Sequence, residues 1–184
     1  METLYKIMKI LIAVLVIAVI VAGVLVLFPA SDSDVVPAET AQAAEAAPDF
    51  TVYDIDGNAC KLSDFQGKPV ILNFWASWCG PCKSEMPDLE DAYQEYGDQI
   101  HFLTVNLTDG STETVETASA YISQQGYTFP VYYDTGMDAA SVYGINAIPM
   151  TYFLDAEGNF VYQVTGMMSA EVLQGGIDML LDGK

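Results

Sequence analysis

Val70-Ile71-Leu72-Asn73-Phe74-Trp75 runs directly into Ala76-Ser77-Trp78-Cys79-Gly80-Pro81-Cys82, an apolar strand that stops at a tight turn carrying two cysteines. The near-continuous apolar run predicts a central strand covered on both faces. From Pro81 to Tyr96, Cys82, Met86, Leu89, Tyr93 and Tyr96 recur at helical spacing, so a helix follows the strand. Two cysteines separated by two residues at such a junction can bridge within one helical turn. The amide groups at a helix N-terminus carry partial positive charge and stabilise a thiolate. Cys79, ahead of the first turn, is expected to be exposed with a lowered pKa. Cys82, inside the first turn and facing the core, is expected to be shielded. Cys79 then attacks a substrate disulfide, and Cys82 resolves the mixed disulfide to leave a Cys79–Cys82 bridge. Half of a zinc site and an inert structural disulfide are the competing readings. The first lacks a second ligand pair, since only Cys60 and His101 remain. The second fits poorly with the Gly-Pro spacer at a strand–helix junction.

On either side of this unit, short apolar runs alternate with longer amphipathic ones. Phe50–Tyr53 and Ala59–Leu62 flank Asp56-Gly57-Asn58, a hairpin signal. Ile100–Leu107 and Val131–Tyr133 read as strands. Thr112–Gln125 reads as a helix with Val115, Ala118, Tyr121 and Ile122 on one face, and Ala139–Tyr143 as a short one. Thr151–Leu154 and Phe160–Val164 form a second hairpin around Ala156-Glu157-Gly158-Asn159, and Ser169 caps a last helix reaching about Leu181. Strand–helix–strand units give parallel crossovers and the terminal hairpin is antiparallel. The pattern therefore predicts an α/β domain with a mixed sheet and helices on both faces.

The stretch Val70 to Pro87, with Lys83-Ser84-Glu85-Met86-Pro87 behind the cysteines, resembles the membrane-tethered TlpA/ResA-like thiol–disulfide oxidoreductases of the thioredoxin superfamily. Leu62-Ser63-Asp64-Phe65-Gln66-Gly67-Lys68 is similar to that family's turn before the central strand, and Ile148-Pro149-Met150-Thr151 to the cis-proline loop of thioredoxin folds. The resemblance covers Asp49 to about Leu181 and implies a thioredoxin-like fold with an N-terminal hairpin. Thr112 to Tyr133 would be the helix–strand insertion that a minimal thioredoxin lacks. It implies a cis Pro149 beside Cys79, and substrate contacts from Trp78, Gly80, Pro81, Ile148 and Pro149. Trp75 is assigned to the core. Asn73 stands where thioredoxin has a buried Asp, and an amide cannot take a proton. Glu85, one turn beyond Cys82, would serve instead as a half-buried catalytic carboxylate; a solvated helix residue is the alternative. The resemblance further implies reduction of protein disulfides, for example in apocytochrome c or another extracytoplasmic reductase. The electrons would come from a membrane donor of the CcdA/DsbD type, with no prosthetic group or metal.

Upstream of the domain, Ile10 to Phe28 is a run of 19 residues without charge. As a helix it is roughly 28 Å long, the thickness of a bilayer's hydrocarbon core. Lys6 and Lys9 precede it, so residues 1–9 are expected in the cytoplasm and the rest outside. A cleaved signal peptide is the alternative; the run is long for one, and bulky Phe28 precedes the nearest small residues. Residues 29–48, rich in Ala, acidic residues and Pro, are expected to be a disordered linker to a domain at 49–184.

The chain's 184 residues carry a net charge of −19, with 25 acidic residues against 6 basic ones. So acidic a surface lacks the basic patches that nucleic-acid binding requires. Two other functional classes fit the residues less well. A thiol peroxidase would place Pro and Thr at positions 72 and 76 of a Pro-x-x-x-Thr-x-x-Cys pattern, and this chain has Leu72 and Ala76. A copper- or haem-delivery protein of the Sco type uses a longer Cys spacing with a distant His, a part only His101 could take. Cys60 reads as a small strand residue, and Asn106-Leu107-Thr108 fits a glycosylation sequon.

Overall fold

The computed structural model describes residues 45–182. The strands are β1 (Thr51–Tyr53), β2 (Ala59–Lys61), β3 (Val70–Trp75), β4 (His101–Asn106), β5 (Val131–Tyr133), β6 (Met150–Leu154) and β7 (Phe160–Thr165). The helices are α1 (Gly80–Tyr96), α2 (Val115–Gln125), α3 (Asp138–Val142) and α4 (Ala170–Asp182), with a 3-10 turn at Leu62–Phe65. All seven strands lie in one sheet of order β2-β1-β5-β4-β3-β6-β7. β3, β4 and β5 run parallel, while both hairpins and the β3–β6 pair are antiparallel. The mixed sheet, the N-terminal hairpin and the α2–β5 insertion of the thioredoxin-like expectation are all present.

Strand alternation sorts the core into two layers. Ile71, Trp75, Phe102 and Phe153 face α1, α2 and α4, meeting Met86, Leu89, Ala118, Leu173 and Ile177. Val70, Leu72, Phe74, Leu103 and Val105 face the opposite way and meet Phe50, Leu62 and Ala139. Helices cover both faces, but unequally: the three long ones share one side and short α3 sits on the other. Each large apolar side chain buried in these layers contributes about 1.5–3 kcal/mol. The same alternation carries Asn73 of β3 and Asn106 of β4 toward the α1 side, where both are buried.

Two boundaries differ from the sequence expectation by more than one residue. α2 begins at Val115 rather than Thr112, because Asp109 Oδ1 accepts from the backbone N–H groups of Ser111, Thr112 and Glu113 at 2.7–3.0 Å. That turn occupies the residues a longer helix would use, and Thr114 caps the helix through its hydroxyl. At the other end Gly126, with φ +75°, accepts the left-handed conformation that stops α2. At the N-terminus, residues 45–48, read as the end of the linker, already belong to the folded unit. Ala46 bridges Asn159, and the Phe160 N–H donates to the Glu45 carbonyl at 2.9 Å. The turn between β6 and β7 offers backbone groups that this segment pairs. The cytoplasmic residues 1–9, the apolar run 10–28 and the linker up to residue 44 lie outside the described residues. Among the described residues no helix is long and apolar enough to cross a membrane.

Candidate active site

β3 delivers Trp75 to the end of the sheet, and the chain turns at once, with the Cys79 N–H donating to the Ala76 carbonyl at 3.1 Å. Cys79 is then the N-cap of α1, and its sulfur accepts from the Cys82 N–H at 3.1 Å. Pro81 stands in the first turn, where a helix has no use for its missing N–H. Cys79 and Cys82 are joined as a disulfide, with Cα atoms 5.3 Å apart. The helix continues through Pro87 without interruption.

Cys82 is fully buried, as expected. Cys79 is not exposed, contrary to expectation: only 4% of its surface is accessible. The covering element is the loop ahead of β6, where the Ile148–Pro149 bond is cis and the Ile148 carbonyl oxygen lies 3.8 Å from Cys79 Sγ. The exposed part of the motif is its rim. Trp78 is 57% exposed, and Gly80 and Pro81 are also open to solvent. Beside them a cleft of about 360 Å³ is lined by Trp78, Leu107, Ile145, Asn146, Ala147 and Ile148. The residues named from sequence as substrate contacts therefore do gather around the disulfide.

Glu85 is more deeply placed than the half-buried position expected, with 1% of its surface accessible. The Asn73 amide donates to its Oε1 and the Met168 N–H to its Oε2, both at 2.9 Å. Burial outweighs these two hydrogen bonds and pushes its pKa up to about 7, with Asp88 adding a small push the same way. A carboxyl group that exchanges its proton near neutrality thus lies one helical turn behind Cys82. Asn73 also donates to the Thr151 hydroxyl at 2.8 Å, across the β3–β6 register.

A second buried carboxylate has no signal in the sequence. Glu113, 1% exposed, accepts from the Ser77 N–H at 2.8 Å, the Ser77 hydroxyl at 2.7 Å and the Asn106 amide at 2.7 Å. It lay within the segment read as helix, and no periodicity marks its partners. Asn106, by contrast, is excluded as a glycosylation site because its amide is buried and engaged. His101 packs edge-on against Phe65, and burial first, then Lys68, lowers its pKa. Cys60 is on β2, with three strands between it and β3, and burial first and then Asp54 and Asp64 push its thiol up. Among the described residues no group of three or more His, Cys, Asp and Glu side chains is arranged to hold a metal ion.

Residues 43–163 match the AhpC/TSA family. Thiol-disulfide oxidoreductase ResA of Bacillus thuringiensis (strain Al Hakam) is 35% identical over 140 residues, covering 74% of this chain and 78% of that protein. The crystal structure of StoA from Bacillus subtilis aligns with a TM-score of 0.61 at 30% identity, over 71% of this chain and 96% of that one. The pneumococcal exposed lipoprotein thioredoxin Etrx1 from Streptococcus pneumoniae strain TIGR4 aligns with a TM-score of 0.59 at 34% identity, over 71% and 99%. The joined cysteines at the start of α1, the covering cis-proline loop and these likenesses agree, and the chain belongs to the ResA-like thiol–disulfide oxidoreductases.

Proposed function

We propose that this oxidoreductase is a membrane-tethered reductase of protein disulfides that works outside the cytoplasm. One observation carries the reading. The Cys79–Cys82 disulfide sits at the start of α1 against the Ile148 carbonyl, next to an apolar cleft open to solvent. An extended substrate segment can lie in that cleft and meet the Cys79 sulfur. In the reduced protein the Cys79 thiolate attacks one sulfur of a substrate disulfide. A mixed disulfide forms and the substrate's other sulfur leaves as a thiolate. Cys82 then attacks Cys79 Sγ, so the substrate departs with two electrons and the Cys79–Cys82 bond re-forms. Glu85 accepts and returns the Cys82 proton. Trp78, Gly80, Pro81, Ile148 and Pro149 contact the substrate chain. No prosthetic group enters the cycle.

Lys6, Lys9 and the apolar run 10–28 support a single-pass anchor with the domain at 49–184 held outside by the linker. Etrx1, a similar protein, is an exposed lipoprotein, which supports the same side of the membrane. The family resemblance supports apocytochrome c or another extracytoplasmic reductase as substrate, and a CcdA/DsbD-type donor as the source of electrons. The test is the redox state of Cys79 and Cys82 in cells, fixed by acid and alkylation. A reductase is held mostly as the dithiol while its donor is present and shifts to the disulfide when the donor is deleted. A pair found as the disulfide in both strains points to an oxidase or isomerase instead.

A further inference from the structure

The segment that separates this fold from a minimal thioredoxin also reaches into the active-site turn. Asp109 folds the chain back through three backbone N–H groups, and the Gly110 N–H closes the turn on the Glu113 carbonyl at 3.0 Å. Glu113 is thereby buried against Ser77, two residues ahead of Cys79. A buried carboxylate is unfavourable unless its lone pairs are filled. Here three donors fill them, two from Ser77 and one from Asn106. Asn106 is fixed in turn, since its Oδ1 accepts from the Thr108 hydroxyl at 2.8 Å. The same loop is tied to β3 by the Leu107 N–H, which donates to the Trp75 carbonyl at 2.9 Å.

We propose that Glu113 is a positioning residue for the thiol–disulfide exchange, holding the turn from Ala76 to Cys79 so that the Cys79 sulfur stays within reach of the Cys82 N–H. That N–H, 3.1 Å from the sulfur in the disulfide form, stabilises a thiolate after reduction. Ser77 is the only residue between Ala76 and Trp78, so fixing both its backbone N–H and its hydroxyl fixes the path of the chain into Cys79. Loss of the Glu113 acceptors frees this turn and moves the sulfur off the helix N-terminus. Leu107, from the same loop, is a wall of the apolar cleft. The segment from Leu107 to Glu113, which leads into the insertion, therefore supplies both a wall of the cleft and the anchor of the nucleophile's turn. The proposal rests on the exchange reaction given above.

The experiment uses the purified full chain, reduced, with Glu113→Ala, Glu113→Gln and Ser77→Ala variants. Two quantities are read: the pH dependence of Cys79 alkylation by iodoacetamide, and the single-turnover rate with insulin disulfides. Glu113→Ala is expected to slow alkylation at neutral pH about tenfold and to raise its pH midpoint by about one unit. Glu113→Gln is expected to restore most of the rate, since the amide oxygen still accepts from the Ser77 N–H and Asn106, and the Ser77 hydroxyl can turn to accept from the new NH₂. A folded Glu113→Ala protein with wild-type midpoint and rate overturns the proposal, as does a Glu113→Gln protein as slow as the alanine variant. If Glu113→Ala does not fold, Ser77→Ala decides: a slower rate with a raised midpoint supports positioning, and unchanged values overturn it. A wild-type chain inert toward insulin disulfides would instead overturn the exchange reading itself.

Discussion

The Asn73 side-chain amide donates to Glu85 at 2.9 Å while its own carbonyl oxygen, also buried, has no partner. Both oxygens of the Glu85 carboxylate are thus filled, while Asn73 keeps a free acceptor that can serve a neutral Glu85. A turn of the Asn73 amide about its axis would present the unpaired oxygen to the proton of a neutral Glu85. Where thioredoxin has a buried aspartate on this strand, β3 here carries an amide, and the carboxyl group it pairs with lies on α1, one turn beyond Cys82.

This arrangement makes stability depend on pH. The ordinary pKa of 4.5 rises to about 7 in the folded protein. Between those values Glu85 holds more of its proton in the native state than in the unfolded chain, so the contribution of this group is fully present below about pH 4.5 and is lost as pH rises through 7, about 3 kcal/mol in all. Glu85→Gln removes the ionisable group, and the Asn73 amide can turn its free oxygen to the new N–H. Denaturant unfolding of the oxidised protein from pH 4 to pH 9 should show the decline in the wild type and its loss in Glu85→Gln. A parallel pair of curves would place the titration elsewhere. The same variant should slow exchange by roughly a hundredfold, as expected for a lost acid–base group.

The two cysteines should separate cleanly. Cys79→Ser is expected to abolish exchange, and Cys82→Ser to retain attack and accumulate mixed disulfides, because only Cys79 retains any accessible surface. Non-reducing gels of cells expressing each variant read this directly. Adducts on the Cys79→Ser protein alone would reverse the assignment.

Trp78, with 57% of its surface accessible, contributes little to the core. Trp78→Ala should change stability by less than about 0.5 kcal/mol. It should raise KM for polypeptide disulfides several-fold and leave the rate with a small disulfide such as oxidised glutathione near wild type. Equal losses with both substrates would mean that the tryptophan shapes the turn rather than the docking surface.

Gly176 of α4 lies against the ring of Phe153 on β6. A Cβ at this position would run into Cε1 and Cζ and stand 2.7 Å from Cδ1 of that fully buried ring. Gly176→Ala should therefore destabilise the domain by about 1–3 kcal/mol despite the better helix propensity of alanine. Thermal unfolding checks this, and an unchanged or higher Tm would show that Phe153 has room to move.

If the proposed orientation holds, with Lys6 and Lys9 inside, protease added to intact protoplasts should release the domain by cutting within residues 29–44. If the domain survives in its membrane-bound form while a known external protein is digested, the orientation is reversed.

Much of the scaffold was legible because it is written in local patterns. The apolar run of β3, the helical spacing of Cys82, Met86 and Leu89, and the turn residues of both hairpins each act over a few neighbours. What escaped the sequence depends on distant partners. Cys79 is covered by Ile148, 69 positions away, and Glu85 is sealed by Met168, 83 positions away. Glu113 meets Ser77 across 36 positions. In each case a polar or reactive group was judged by its own stretch of chain, and its burial was set by a different one.

The closeness of the Ile148 carbonyl to the Cys79 sulfur has a consequence for leakage. A reductant working among oxidants loses its electrons to whatever collides with it unless collision alone is insufficient. Here the loop ahead of β6 leaves only 4% of the Cys79 surface open to a small diffusing molecule. In the proposed reductase the same cover would favour partners that bring a length of extended chain over small diffusing oxidants.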